Sequence, residues 1–470
     1  MLTFILSHRR IFLYGSLAGL LLRLFFVIWF HTTNDDTVIY ADIAKTWLTS
    51  GVYGTQEDDK LIPTYVRLPG YPAFLAAIFA IFGNDHYLPV LLIQTVVDLG
   101  CCLLVGAIAL EIFGEGAAIG AFLVSVLCPF TANYCAIALS ETLSIFFSAL
   151  ALWLAVKGTK ALKQPKDWGA KWWAMCGLAI GAATFLRPDG VILLMAVCIF
   201  LLLKLAQFRH KKNIIFAGAL TVAMVLAMLT PWTLRNLFVF HEFQPLAPRY
   251  ANAPDEYAPT GFYQWAKTWM VDTASVEDIY WKVSADSLGE IVDLNDLPYS
   301  EFYNTAEREK TVALFSKLNQ TRLLTPQLDA QFASLAQARI AKAPLRYYLY
   351  LPVLRIADMW LRPRTEYLDV DLHWWKFEDP VEDSFSVAYA LLNFLLVLIA
   401  VLGMWKFRQF PCTGLLIAFI IIRSVLLGIL RENPEPRFIL ECFPVILVFD
   451  GIMFYTFWQI YKQKSRNKRN

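Results

Sequence analysis

Charge is what this sequence has too little of. Asp, Glu, Lys and Arg supply 17% of its 470 residues, where a soluble globular chain carries about 25%. Mean hydropathy is +0.49 and 57% of residues are hydrophobic. The chain cannot coat its own surface with charge, so lipid coats part of it. A soluble enzyme and a disordered chain are excluded. No charge of one sign dominates either: 41 Lys and Arg stand against 39 Asp and Glu, so nothing draws the chain to nucleic acid. Metal-finger spacing is missing as well. Cys101, Cys102, Cys128, Cys176, Cys198, Cys412 and Cys442 lie in or near apolar runs, Cys135 just outside one, and none forms a CxxC pair. They read as small buried hydrophobes, which excludes a disulfide scaffold. GxGxxG, a P-loop and any repeat of 20 to 50 residues are also absent.

Long apolar runs are abundant. About 20 apolar residues cross a bilayer core. On that measure spans are expected near 11–30, 88–111, 116–131, 140–156, 171–186, 190–206, 213–233, 385–405, 411–430 and 437–460. The predicted fold class is an all-α polytopic membrane protein of about ten spans. The shortest spans are 116–131 and 171–186. The first span follows Arg9 and Arg10, lacks a small-residue cleavage site before Asn34, and reads as a retained anchor.

Basic residues orient the spans. His8 to Arg10, the lysines 157, 160, 163, 166 and 171, then Lys204, Arg209, Lys211 and Lys212, then Lys406, Arg408 and the tail 462–469 form one set of loops. Basic loops stay cytoplasmic, which places both termini inside. The apolar runs 72–83 and 345–361 break the parity as spans and read as re-entrant or interfacial helices. Three regions follow: a transmembrane module over 1–236 with a first outer loop at 31–87, an extracytoplasmic portion over 237–384 between spans seven and eight, and final spans with a basic tail over 385–470. Within the outer portion, Glu301 to Ala343 reads as helical with few breakers apart from Pro326; aromatics at a membrane are more often an interfacial belt, and Trp265, Trp269 and Trp281 are the exceptions to watch for sugar stacking. Inside the spans, Arg23 and Asp98 sit at similar depths and are expected to pair.

Six polar combinations cluster at the outer ends: Asn34-Asp35-Asp36, Arg67-Leu68-Pro69-Gly70-Tyr71-Pro72, Ser140-Glu141, Arg187-Pro188-Asp189-Gly190, Pro231-Trp232-Thr233-Leu234-Arg235-Asn236, and Arg431-Glu432-Asn433-Pro434-Glu435-Pro436-Arg437. A planar, always charged guanidinium suits a phosphate. A carboxylate suits proton abstraction from a hydroxyl. Together they fit transfer from a lipid-linked phosphate while the lipid tail stays in the bilayer. Blander roles stand beside these. Asp35 and Asp36 would serve as a solvated loop, Glu141 as a helix cap, Arg187 and Asp189 as a turn closed on itself, and Arg235 and Arg437 as snorkelling residues.

The motifs resemble the polytopic GT-C glycosyltransferases, in the bacterial branch related to protein O-mannosyltransferases and the lipid A aminoarabinose transferase. The likeness is carried by Asp36 with Tyr40, by Arg67 to Pro72, by Leu186 to Gly190, and by Pro231 to Asn236. Where members carry Lys-Pro-Pro or Arg-Pro-Pro, this chain has Arg67-Leu-Pro-Gly-Tyr-Pro72, which favours the broader sugar-transferase group. The resemblance implies transfer of a sugar from a polyprenyl-phosphate donor to a lipid, glycan or protein hydroxyl. It places that step on the outer face of a bacterial inner membrane. Asp36, four residues before Tyr40, is the expected catalytic acid, with Asp35 as its alternative. Arg67, Tyr71, Glu141, Arg187, Asp189, Arg235 and Arg437 are the expected substrate-binding residues. No cofactor is certain; Asp35, Asp36 and Glu141 leave a divalent metal open. The alternative function is a transporter or flippase of lipid-linked saccharides.

Overall fold

The computed structural model describes residues 2–58, 60–162, 168–207, 210–253, 256–283, 291–299, 302–377 and 379–467. Lys163, Lys166, Arg209, Glu301 and the tail beyond 467 lie outside them. Among the described residues helices account for nearly all regular structure, with one two-stranded hairpin, Gly54–Glu57 paired antiparallel with Lys60–Pro63. The protein is an all-α polytopic membrane protein.

Each of the ten expected spans coincides with a helix, but the helices differ in reach. Seven are long and apolar enough to cross a membrane: Arg9–Trp29, Tyr87–Phe113, Glu141–Ala161, Lys211–Phe240, Pro380–Phe407, Thr413–Leu430 and Pro436–Asn467. An eighth is a pair, Glu115–Val126 and Pro129–Ala136, bent by 52°. Pro129 opens the second half, where its missing N–H costs nothing. The remaining two, Ala170–Leu186 and Val191–Lys204, have 17 and 14 residues. At 1.5 Å per residue both fall short of a core of about 30 Å.

The chain forms two compact units. One comprises 1–251, 395–422 and 440–470; the other comprises 252–394 and 423–439. The first unit holds the transmembrane module. Its interior carries the expected pair: Arg23 Nε donates to Asp98 Oδ2 at 2.7 Å, with both residues fully buried. Nη2 lies 2.6 Å from the same carboxylate oxygen, and Nη1 donates to the carbonyls of Gly19 at 2.9 Å and Val126 at 2.6 Å. Val126 ends the first half of the bent pair, so Arg23 also supplies a donor where the helix ladder breaks. At one end of the bundle Lys157 and Lys160 meet Glu111 at 3.1 and 2.6 Å. All eight cysteines are free and seven are buried.

The second unit has its own aromatic core. Phe262, Trp265, Ala266, Trp269 and Met270 from the segment beginning with helix Thr260–Lys267 pack with Phe315 and Phe332 of helices Thr305–Thr321 and Pro326–Lys342. Asp329 accepts from the backbone N–H of Gly261 and Phe262 at 2.9 and 2.7 Å, fixing the start of the first helix. This corrects the sugar-stacking expectation. Trp265 and Trp269 are buried core residues, and only Trp281, half exposed, retains an open face. The stretch expected as helical up to Ala343, with Pro326 as its breaker, forms two helices among the described residues, Thr305–Thr321 and Pro326–Lys342, and Thr325 caps the second. The run 345–361 forms a helical segment with Leu345, Tyr348, Leu349 and Val353 exposed.

Candidate active site

Asn34 caps helix Asp35–Ser50: its side chain accepts from Thr37 N–H at 2.9 Å, and Thr37 Oγ1 accepts in return from Asn34 N–H at 3.4 Å. Thr37 Oγ1 also donates to Ala138 O at 3.2 Å. That bond ties the first turn to the segment leading into Glu141. Asp35 and Asp36 both fall in this positively polarised turn, where acids are favoured. Asp35 points into solvent, whereas Asp36 is partly buried.

Arg67 arrives from the other side of the loop. Its Nη2 donates to Asp36 Oδ1 at 2.8 Å, and its guanidinium lies 6.0 Å from the Tyr40 ring centre. Side-chain exposure is 26% for Asp36 and 17% for Arg67, so both remain accessible to a substrate. Two features hold Arg67 there. Its carbonyl accepts from Tyr53 Oη at 2.9 Å. The following helix, Gly70–Phe82, begins with a glycine whose absent Cβ would lie 2.6 Å from Phe185 O. Only glycine allows that helix start to rest on the end of Ala170–Leu186.

Arg235 does a different job. Its Nη1 and Nη2 donate to Thr64 O and Tyr53 O, each at 2.7 Å, and its face lies over Trp232 and Phe240 at 5.2 and 5.0 Å. It clamps the loop that carries Arg67. Tyr71 is fully buried and donates to Gln94 Oε1 at 2.7 Å; Gln94 Nε2 donates in turn to Ile137 O at 2.8 Å. Tyr71 thus packs beneath Tyr40, ring to ring at 5.0 Å.

A second charged group lies deeper. Helix Ala170–Leu186 ends at Arg187 in extended conformation, followed by the turn Pro188–Gly190. A Cβ on Gly190 would lie 2.6 Å from Thr184 N, so the turn folds back against its own helix. Arg187 Nη1 contacts Glu141 Oε1 at 2.5 Å, and Nε lies 3.4 Å from Asp189 Oδ1 and 3.3 Å from Glu441 Oε1. Ser144 Oγ donates to the same Glu441 oxygen at 2.8 Å. Glu141 and Glu441 are 2% and 1% exposed, whereas Arg187 keeps 10%. Tyr40 stands within electrostatic reach of both groups. Burial pushes its phenol up, Asp36 adds to this and Arg67 opposes it, while Glu141 and Arg187 act more weakly in opposite senses.

The structure therefore gathers Asp36, Arg67, Tyr71, Glu141, Arg187 and Asp189 at one end of the first unit, with Asp35 beside them on the solvent side. Arg437 belongs to the second unit, where it meets Glu435 at 2.5 Å. Sequence reasoning missed Glu441. The available signal was an acid inside the apolar run that opens the last span. Among the described residues no three His, Cys, Asp or Glu side chains are grouped to hold a metal ion, Asp35, Asp36 and Glu141 included.

The described residues form a polytopic helical module with acids and arginines at one end of the first unit, and comparisons with known proteins bear on its class. Residues 66–232 match the model of the dolichyl-phosphate-mannose-protein mannosyltransferase family, just over a third of the chain. The fold is similar to that of the archaeal oligosaccharyltransferase AglB from Archaeoglobus fulgidus, solved with an inhibitory peptide and a dolichol-phosphate. That likeness has a TM-score of 0.58 at 14% identity and covers 99% of this chain and 52% of that one. The apo form of the A. fulgidus enzyme gives 0.53 at 12% identity, over 98% and 52%. The chain spans about half the length of these solved relatives. ArnT from Cupriavidus metallidurans, bound to undecaprenyl phosphate, matches at 0.43 and 14% identity over 94% and 77%, too low to carry weight. No curated protein matches the sequence.

Proposed function

We propose that this protein is a glycosyltransferase that moves a hexose or pentose from a polyprenyl-phosphate donor to a hydroxyl acceptor at the extracytoplasmic face of a bacterial inner membrane. The observation that carries the reading is the accessible Asp36–Arg67 pair at the membrane boundary of a GT-C-like fold. The acceptor is a lipid, a glycan or a protein. The dolichol-phosphate bound by the archaeal enzyme supports a polyprenyl-phosphate donor. The basic ends of the helices support cytoplasmic termini.

The proposed chemistry is a single in-line displacement. Asp36 accepts the proton of the acceptor hydroxyl as its oxygen attacks the anomeric carbon. The bond to the phosphate breaks on the opposite side, so the anomeric centre inverts. The polyprenyl phosphate leaves with the electron pair, and its charge is met by Arg67. Arg67 suits this task because its firm bond to Asp36 uses one donor of a five-donor fork, and its other contact, to Val66 O at 3.5 Å, is weak.

The flippase alternative draws on the bent helix pair, since broken helices mark many transporters. Arg23 donates to carbonyls at that break, which makes it part of the packed interior. Lipid mass spectrometry on a strain lacking the gene separates the two readings. Accumulation of a polyprenyl-phosphate sugar in the outer leaflet, cleared by the wild-type gene, is the transferase outcome. Accumulation in the cytoplasmic leaflet refutes it in favour of lipid movement.

A further inference from the structure

The lysines at the other end of the first unit take no part in the chemistry above. Lys157 lies on the same helix as Glu141 but about 24 Å further along its axis. It and Lys160 meet Glu111 in the last turn of helix Tyr87–Phe113, at 3.1 and 2.6 Å. Lys171 joins them from the first turn of helix Ala170–Leu186. The Nζ atoms of Lys157 and Lys171 lie 5.3 and 5.0 Å from the centre of the Trp172 ring, and Trp153 packs edge-on against that ring. Three helices thus bring three ammonium groups around one carboxylate and one indole, which leaves a surplus of two positive charges.

Helix stability does not account for this arrangement. The first turn of a helix favours acids and the last turn favours cations, yet Lys171 opens one helix and Glu111 closes another. Lys157 and Lys160 compensate Glu111. The Lys171 ammonium meets the face of Trp172 and, among the described residues, no carboxylate. Orientation by basic loops explains why lysines lie on one side of a membrane, but not why they converge. The surface beside them indicates what they converge on. Met175 and Leu178 follow Lys171 at i+4 and i+7, on one face of the helix, and both are exposed. Ammonium groups and an interfacial indole therefore stand at the head of an apolar track. That layout matches a lipid, phosphate at one end and acyl chain along the helix, better than it matches a free phosphate.

We propose that Lys157, Lys160, Lys171 and Trp172 form a binding site for the headgroup of an anionic phospholipid, with an acyl chain lying along Met175 and Leu178. The site is separate from the Asp36 group and does not depend on the transferase reading. The ammonium groups act as point charges on the phosphate. The surplus charge selects a lipid of net negative charge over a zwitterionic one, with each lysine contributing a factor of about 5.

The test uses full-length protein in detergent, titrated with phosphatidylglycerol or phosphatidylethanolamine of the same acyl chains, with bound lipid counted by native mass spectrometry. Phosphatidylglycerol is expected to be retained on the order of 10-fold better. Lys160→Gln and Lys171→Gln should each weaken its retention about 5-fold and leave phosphatidylethanolamine unchanged. Lys171→Gln strands no carboxylate, so it carries the test if Lys160→Gln does not fold. Glu111→Gln should act in the opposite direction, strengthening retention about 5-fold by releasing Lys157 and Lys160. A cluster that only holds helices together gives a lower melting temperature in Glu111→Gln and no gain in lipid, and that result overturns the proposal. Equal retention of the two lipids, or unchanged retention in both lysine variants, overturns it as well. Displacement of bound phosphatidylglycerol by inorganic phosphate at millimolar concentration refutes the acyl-chain track and with it a lipid as the ligand. Preferential retention of a polyprenyl phosphate by the same lysines refutes the assignment to a phospholipid.

Discussion

Replacing Asp36 by Asn separates catalysis from stability. The substitution is nearly isosteric, and the amide oxygen can still accept from Arg67 Nη2, now 2.8 Å from Asp36 Oδ1. The pair it weakens is partly solvated, with 26% and 17% side-chain exposure. Pairs of that kind contribute about 0–1 kcal/mol, so the melting temperature in detergent should barely move. The loss of a general base is a larger effect, about 10²- to 10⁴-fold in rate. At 1.36 kcal/mol per tenfold this is roughly 3–5 kcal/mol on the barrier. Asp35→Asn is the internal control. Asp35 is its immediate neighbour and of identical charge, but it points into solvent, and its replacement should leave donor consumption within about 3-fold of wild type. Asp36→Glu keeps the charge but displaces it by one methylene, and a misplacement near 1 Å costs on the order of 10²-fold. The assay is donor consumption in deletion-strain membranes at matched protein levels, paired with a thermal melt. If Asp36→Asn keeps more than a tenth of wild-type rate at an unchanged melt, or if Asp35→Asn is the inactive variant, the assignment of the base is wrong.

Three other perturbations have outcomes fixed by the geometry. Asp98→Leu and Arg23→Met should each cost about 3–5 kcal/mol by stranding a buried charge. The double variant should recover most of that, and strictly additive losses in melts would refute the pairing at 2.7 Å. Arg235→Lys cannot reach Thr64 O and Tyr53 O together and should lose about 1.5–3 kcal/mol of local hold. Limited proteolysis should then cut the 51–69 loop faster while the rest of the chain stays resistant. Burial pushes the Asp358 carboxyl up to about 7, with Arg362 opposing. The folded second unit thus holds a proton that the unfolded chain releases near pH 4. Stability falls as pH rises from about 4 to 7, by up to roughly 4 kcal/mol. Asp358→Asn should flatten melts between those values, and an unchanged slope would place the titration elsewhere.

The membrane helices were legible because apolar run length reports directly on bilayer thickness. Where the sequence misled, a competing signal was present. Phe262, Trp265, Ala266, Trp269 and Met270 recur at the i, i+3, i+4, i+7, i+8 positions of a buried helical face. That periodicity outweighs the chemistry of two tryptophans, and the structure buries both. The hairpin Gly54–Pro63 was not legible, because its four-residue strands are too short for alternation to register.

The site divides along the same physical line. Asp36 and Arg67 each stood out in the sequence as parts of separate motifs, and the structure pairs them by folding a loop over a helix start. Arg235 was equally prominent in sequence, but residue type gives the number of donors and not where they point. Tertiary contacts direct both ends of the Arg235 fork to backbone carbonyls and stack its face on aromatic rings. The same residue type therefore serves as a loop clamp at 235 and as the partner of a partly exposed carboxylate at 67. Glu441 extends the argument to its limit. Its neighbours Ser144 and Arg187 lie 297 and 254 positions away, so no local pattern encodes the contact. What the sequence did hold was the cost. An acid in the apolar run Phe438-Ile439-Leu440-Glu441-Cys442-Phe443 persists only where a cation or a hydrogen-bond donor compensates it. Here Glu441, in the segment before the last helix, meets Arg187 near Tyr40.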